Sequence, residues 1–129
     1  MKNNISKSIV YLYYLSLVVL FFIYLFPGSI IGYLLYGNLD KQPILINNPV
    51  GNSINHFFYF FYLTFLGLIC NLSEKRFISS FLFLFLVSFF LELLHFFIPN
   101  RAFELNDLLA NISGVVTVFF LFKIKKRLI

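Results

Sequence analysis

The stretch FFLELLHFFIPNRAFELNDLLANISG, residues 89–114, begins in an apolar run yet carries Glu92, His95, Arg101, Glu104, Asp107 and Asn111. Three of the five acidic residues of the whole chain stand there, so the clustering asks for a reason. Glu92 and His95, three apart on a helix, put a carboxylate and an imidazole on one face, a pair able to pass or orient a proton. Arg101 offers a planar fork of donors suited to a phosphate or carboxylate. Asp107, Asn111 and Gly114 follow an i, i+4, i+7 spacing and share a second face. His56 opens a separate apolar run and supplies the other imidazole of the chain.

The elements that must position these groups are membrane helices. Of 129 residues, 60% are hydrophobic and 12% charged, and the mean hydropathy is +0.90, outside the range of a soluble domain. Apolar runs at about 9–26, 54–70, 77–98 and 105–122 are each of the length that crosses a hydrocarbon core of roughly 30 Å. The expected fold is all-α: a single membrane domain, 1–129, forming a four-transmembrane-helix bundle. The first run exceeds a signal-peptide core and no small-residue cleavage site follows it, so it belongs to the mature protein. Pro27-Gly28 ends it.

Residues 27–53 form the longest connection; within it SIIGYLLYG is too short to span, and either extends the first helix past a kink or lies at the interface. Gly28 and Gly32 make a weak GxxxG signal. The polar link NLSEKR, residues 71–76, makes the second and third spans an antiparallel hairpin, and its Asn71-Leu72-Ser73 sequon reads as chance on the cytoplasmic side. Pro99-Asn100 ends the third span, and Asn106 or Asp107 is a candidate N-cap for the fourth. Ala110, Ser113, Gly114 and Thr117 in the fourth span let backbones approach, which predicts that this helix is the central, most buried one. The single Cys70 cannot form an intrachain disulfide and reads as a small buried side chain.

The net charge of +5 is a topology signal rather than a nucleic-acid footprint. Lys2, Lys7, Lys75, Arg76, Lys123, Lys125, Lys126 and Arg127, eight of the ten basic residues, fall on one side of a four-pass arrangement. That bias puts both termini in the cytoplasm, with the KIKKR tail on anionic headgroups of the lipid bilayer. In this topology His56, Glu92, His95, Asp107 and Asn111 all reach one outer layer, Glu92 roughly 10 Å and His95 roughly 6 Å below the boundary at Pro99. A carboxylate at Glu92 facing lipid would cost at least a few kcal/mol, so it must face the bundle interior, with His56, His95 and Arg101 as expected partners.

These residues resemble those of the VanZ-like membrane protein family, named for a protein associated with resistance to the glycopeptide teicoplanin. The family pattern has Asp-Lys-x-x-His entering one helix, Glu-x-x-Gln near the end of the next, then Arg, Asp, Asn and Gly. The matching positions are His56, Glu92, Arg101, Asp107, Asn111 and Gly114, over about residues 52–122. Asn52 and Ser53 stand in place of the Asp-Lys, His95 in place of the Gln, and Val118 where a second Gly often follows. The resemblance implies a multi-pass protein of the bacterial cytoplasmic membrane.

Two functions compete. In one, an outer-leaflet polar site binds an anionic lipid, a lipid-linked group or a cell-wall precursor: Arg101, Glu104, Asp107, Asn111 and His56 hold the ligand, and Glu92, His95, His56 and Asp107 are the candidates for any catalytic proton transfer. In the other, the chain is a structural or accessory bundle whose Arg101, Glu104 and Asp107 form an ion-pair network. A metal on Glu92, His95, His56 and Asp107 is a weaker third reading, because a carboxylate-bridged bundle needs two such motifs, and a proton or ion pathway is a fourth. The sequence assigns no cofactor and no metal.

Overall fold

The computed structural model describes residues 2–42, 51–70 and 74–128. The link residues 71–73 with their sequon, and residues 43–50 of the long connection, lie outside the described residues. Five helices and no strand occur among the described residues: α1 Lys2–Leu25, α2 Ile30–Tyr36, α3 Ser53–Cys70, α4 Glu74–Leu94 and α5 Leu105–Leu128. Three segments, Lys7–Leu25, Ser53–Cys70 and Leu105–Lys125, are long and apolar enough to cross a membrane; the apolar part of α4, Ile78–Leu94, is shorter.

The sequence predicts a third span running to Ile98, and α4 stops at Leu94. Pro99 has no N–H and pushes Ile98 out of the helical region, so the last turn tightens before it. His95, Phe96 and Phe97 bond through their N–H groups to the carbonyls of Glu92, Leu93 and Leu94, at 2.9–3.2 Å. This i to i+3 pattern turns His95 inward on a tightened turn.

Only 28–33% of each spanning window is buried inside the protein, and the outward surface is apolar, with Tyr11, Val18, Phe22 and Phe90 exposed. In water such a surface would drive association; lipid solvates it. The core gathers Leu17, Leu20, Phe60, Leu63, Leu84, Leu91 and Val115 between the four long helices.

Contacts at two levels fix the helix directions. Tyr13 of α1 lies by Ser80 of α4 and Gly67 of α3, whereas Tyr24 meets His56 of α3, His95 after α4 and Asn111 of α5. Phe119 of α5 stacks on Phe81 of α4 at 4.4 Å. Hence α1 and α4 run one way and α3 and α5 the other, and the free ends of α1 and α5 share the end of the bundle remote from Tyr24.

The expected centrality of the last span needs a correction. α3 is the helix packed on α1, α4 and α5, and α5 packs chiefly on α3. Gly114 sets that contact: a Cβ there would lie 2.4 Å from the Phe57 carbonyl oxygen and 2.9 Å from the Phe61 nitrogen. Ser113, one residue and about 100° away, is exposed, so the tight stripe is Asn111, Gly114 and Val118 rather than Ala110, Ser113 and Thr117.

The short apolar piece after Pro27-Gly28 is a helix of its own. Ser29 caps α2 by accepting the Gly32 N–H at 2.9 Å, and Gly37 closes it in the left-handed region. Gly28 and Gly32 seat the returning chain instead of a partner helix: a Cβ on Gly32 would meet the Lys41 carbonyl oxygen at 1.6 Å. The Ser29 N–H donates to the Leu39 carbonyl at 2.7 Å and ties the two passes together.

Candidate functional site

At the end of the bundle where Tyr24 lies, Glu92, His95, Asp107 and Asn111 are buried, Glu92 and Asn111 completely. α3 brings His56 from its first turn, α4 brings Glu92, the tightened turn brings His95, and α5 brings Asp107 and Asn111. One ligand-type atom each of His56, Glu92 and Asp107 lies within 4.8 Å of the other two. The sequence-selected residues of three separate helices therefore form one cluster.

Glu92 accepts from three directions. Its Oε1 faces His95 Nδ1 at 3.1 Å and takes the Glu104 N–H at 3.2 Å, and its Oε2 takes Asn111 Nδ2 at 3.5 Å. His95 Nε2 faces the Tyr24 carbonyl oxygen at 3.2 Å; a carbonyl only accepts, so Nε2 carries a proton. Because Nδ1 then faces a carboxylate, Glu92 and His95 together hold one further proton, as carboxylate with imidazolium or as acid with imidazole.

The same accounting orients the other half. Asn111 must turn its amide N–H to Glu92, so its Oδ1 accepts from the Tyr24 hydroxyl at 2.7 Å. The Tyr24 oxygen has spent its one proton and accepts from His56 Nδ1 at 2.6 Å. His56 is thus protonated on Nδ1, and its Nε2 faces Asp107 Oδ2 at 3.5 Å. In the neutral ring that is a lone pair against a carboxylate, a contact that needs a proton or another cation between them. The second Asp107 oxygen, Oδ1, is held by the Ser53 hydroxyl at 2.5 Å. Asp107 also sits in the first turn of α5, where the helix dipole favours an anion.

Arg101 and Glu104 behave differently from the expectation. Arg101 donates through Nη2 to the Ile23 carbonyl at 2.8 Å and through Nε to the Phe26 carbonyl at 3.4 Å, capping the C-terminal end of α1. Among the described residues the ion pairs are His56 with Asp107 and His95 with Glu92, so the Arg101, Glu104 and Asp107 network does not form. Burial lowers the Arg101 pKa from its usual value, while Tyr24, Glu92 and Asp107 act to raise it. The Glu104 side chain is exposed, and its backbone serves the site: the N–H binds Glu92 and the carbonyl accepts from Asp107 and Leu108 at 3.1 Å. Since α5 begins at Leu105, Asn106 and Asp107 both lie inside its first turn and neither is its N-cap.

Two participants escape the motif reading. Tyr24 lies on the buried stripe Tyr13, Leu17, Leu20, Tyr24 of α1, where a phenol in an apolar stripe calls for a partner. It stacks on His95 at 5.4 Å and meets His56 edge-on at 5.5 Å. Ser53 could be found as the residue three before His56, on the same helix face.

Beside the cluster opens a cavity of about 500 Å³, walled by α1, α2 and α3 through Leu20, Ile23, Ile30 and Tyr59. Its lining includes the exposed Ile31 and Phe58 and, from the cluster side, His56, His95 and Arg101. A largely apolar chamber with basic groups in its wall suits an amphiphile better than a small polar solute.

No curated protein and no solved structure matches the chain. The family model described as VanZ/LLP1 matches residues 8–126, reaching beyond the 52–122 motif region to take in α1 and its Tyr24. With apolar helices of spanning length and a match over nearly its whole length, the chain is a membrane protein that belongs to the VanZ/LLP1 family.

Proposed function

We propose that this protein is a four-pass VanZ-type protein of the bacterial cytoplasmic membrane, with both termini in the cytoplasm and a site near the outer leaflet for an anionic amphiphile. The ligand class is a lipid or lipid-linked envelope precursor with a phosphate or carboxylate head. Supporting the topology, eight of the ten basic residues fall on the side of the two termini and the α3–α4 link. The observation that carries the ligand class is the cavity, whose apolar walls hold hydrocarbon while Arg101, in its lining, meets the head. Arg101 has five N–H groups, and its bonds to Ile23 and Phe26 use two, leaving donors for an anion. No reaction is assigned.

A second reading, an accessory bundle without ligand, draws on Arg101 as the cap of α1 and on the internal partners of Glu92. Native mass spectrometry of the full chain in nanodiscs separates the two. The ligand reading expects a specific co-purifying anionic amphiphile that is displaced in Ile31→Trp, which fills the outer part of the cavity while leaving the cluster intact. Absence of any specific amphiphile, or equal retention by Ile31→Trp, overturns it and favours the accessory bundle.

A further inference from the structure

We propose that His56, Asp107 and Glu92 together hold a first-row divalent cation such as Zn²⁺ or Mn²⁺. Three features lead there. The first is the contact of His56 Nε2 with Asp107 Oδ2 at 3.5 Å. Hydrogen-bond polarity, propagated from Glu92 through Asn111 and Tyr24, commits the His56 proton to Nδ1 and aims a lone pair at a carboxylate oxygen. A cation bound by both turns that conflict into coordination.

The second is that each ligand has its other end held by a separate partner. His56 Nδ1 is on Tyr24, Asp107 Oδ1 on Ser53, and Glu92 Oε1 on His95 and the Glu104 N–H. Such outer partners fix the tautomer and rotamer of metal ligands, and here they leave one atom of each residue to converge. The weakest bond in the cluster is the one at Glu92 Oε2, whose Asn111 donor stands 3.5 Å away.

The third is size and charge. Ligands about 2.0–2.2 Å from a tetrahedral zinc lie roughly 3.3–3.6 Å apart, a range that includes the His56–Asp107 spacing of 3.5 Å. The 4.8 Å limit of the triad asks Glu92 to close by roughly 1 Å. Two carboxylates and one imidazole are hard-to-borderline donors, which suit zinc, manganese or ferrous iron over copper(I). Three protein ligands leave a fourth position, and because His56 also lines the cavity, a water or an anionic oxygen completes the shell from there. His95, expected from its spacing to be a ligand beside Glu92, becomes instead the residue that orients Glu92.

The inference stands apart from the amphiphile reading, because metal and lipid contents are measured separately. The full chain in nanodiscs, stripped with chelator, is titrated with Mn²⁺ while the free-ion resonance signal is followed. About one bound equivalent is expected, weakened tenfold or more in Asp107→Asn and unchanged in Asp40→Asn, an exposed carboxylate. Less than a tenth of an equivalent in the native chain, or equal binding by Asp107→Asn, overturns the proposal. Should Asp107→Asn fail to fold, Co²⁺ with His56→Cys decides: a thiolate-to-cobalt absorption band that the native chain lacks supports the site, and binding without that band refutes it.

Discussion

Tyr24 on α1 donates its hydroxyl to Asn111 Oδ1 on α5 at 2.7 Å, and this bond passes the hydrogen-bond direction set at Glu92 on to His56. Glu92 demands the Asn111 amide, Asn111 then accepts from Tyr24, and Tyr24 accepts from His56. An acidic group on α4 thereby selects the tautomer of a histidine on α3 through residues of two other helices.

Removing the relay at its centre should be costly. Tyr24→Phe leaves a buried Asn111 oxygen and a His56 N–H without partners, each worth about 1–3 kcal/mol when orphaned. Tyr13→Phe, whose half-buried contact with Ser80 is 3.3 Å long, serves as the comparator on the same helix. Thermal unfolding in detergent should place Tyr24→Phe clearly below native and Tyr13→Phe within about 1 kcal/mol of it.

Glu92→Gln tests whether three donors converge there. With Asn111 in its native orientation, an amide offers a single acceptor oxygen where His95, Glu104 and Asn111 need two, so one donor is stranded whichever way the Gln amide turns. The expected loss is about 1–3 kcal/mol with the fold retained, read as a lowered unfolding temperature with unchanged helical circular dichroism.

Gly114→Ala probes the closest helix contact. The added methyl would sit 2.4 Å from a backbone oxygen of α3, which cannot swing away as a side chain would. We expect loss of about 3 kcal/mol or more, or failure to yield a monodisperse protein on size-exclusion chromatography. Ser113→Ala, exposed on the same helix, should be within about 0.5 kcal/mol of native.

Arg101→Gln removes the cap of α1. The carbonyls of Ile23 and Phe26 lose their donors, so amide exchange should rise in the last turn of α1 while α3 and α5 keep their protection. Uniform loss of protection across the bundle would contradict a local capping role.

Much of this cluster could be read from residue order. An ionisable group two turns inside an apolar run has few ways to be tolerated, so Glu92 had to face the interior, and the return after Pro99 had to bring Asp107 and Asn111 beside it. Helical spacing placed Asp107, Asn111 and Gly114 on one buried face, as found. Partner choice was less legible. Arg101 can reach carboxylates or helix carbonyls with equal chemistry, and the end of α1, 75 residues away, decides. Tyr24 is one of eight tyrosines, and nothing local marks the one that faces His56. Glu104 acts through its backbone, which residue type does not announce.

The most direct test is ¹⁵N magnetic resonance of the two histidines in the full chain, whose small number makes assignment tractable. His56 should be protonated at Nδ1 with its proton in a short bond to a phenol, and His95 protonated at Nε2. A His56 found as the neutral Nε2–H form, with Nδ1 bare, would contradict the relay from Glu92 and the buried cluster built on it.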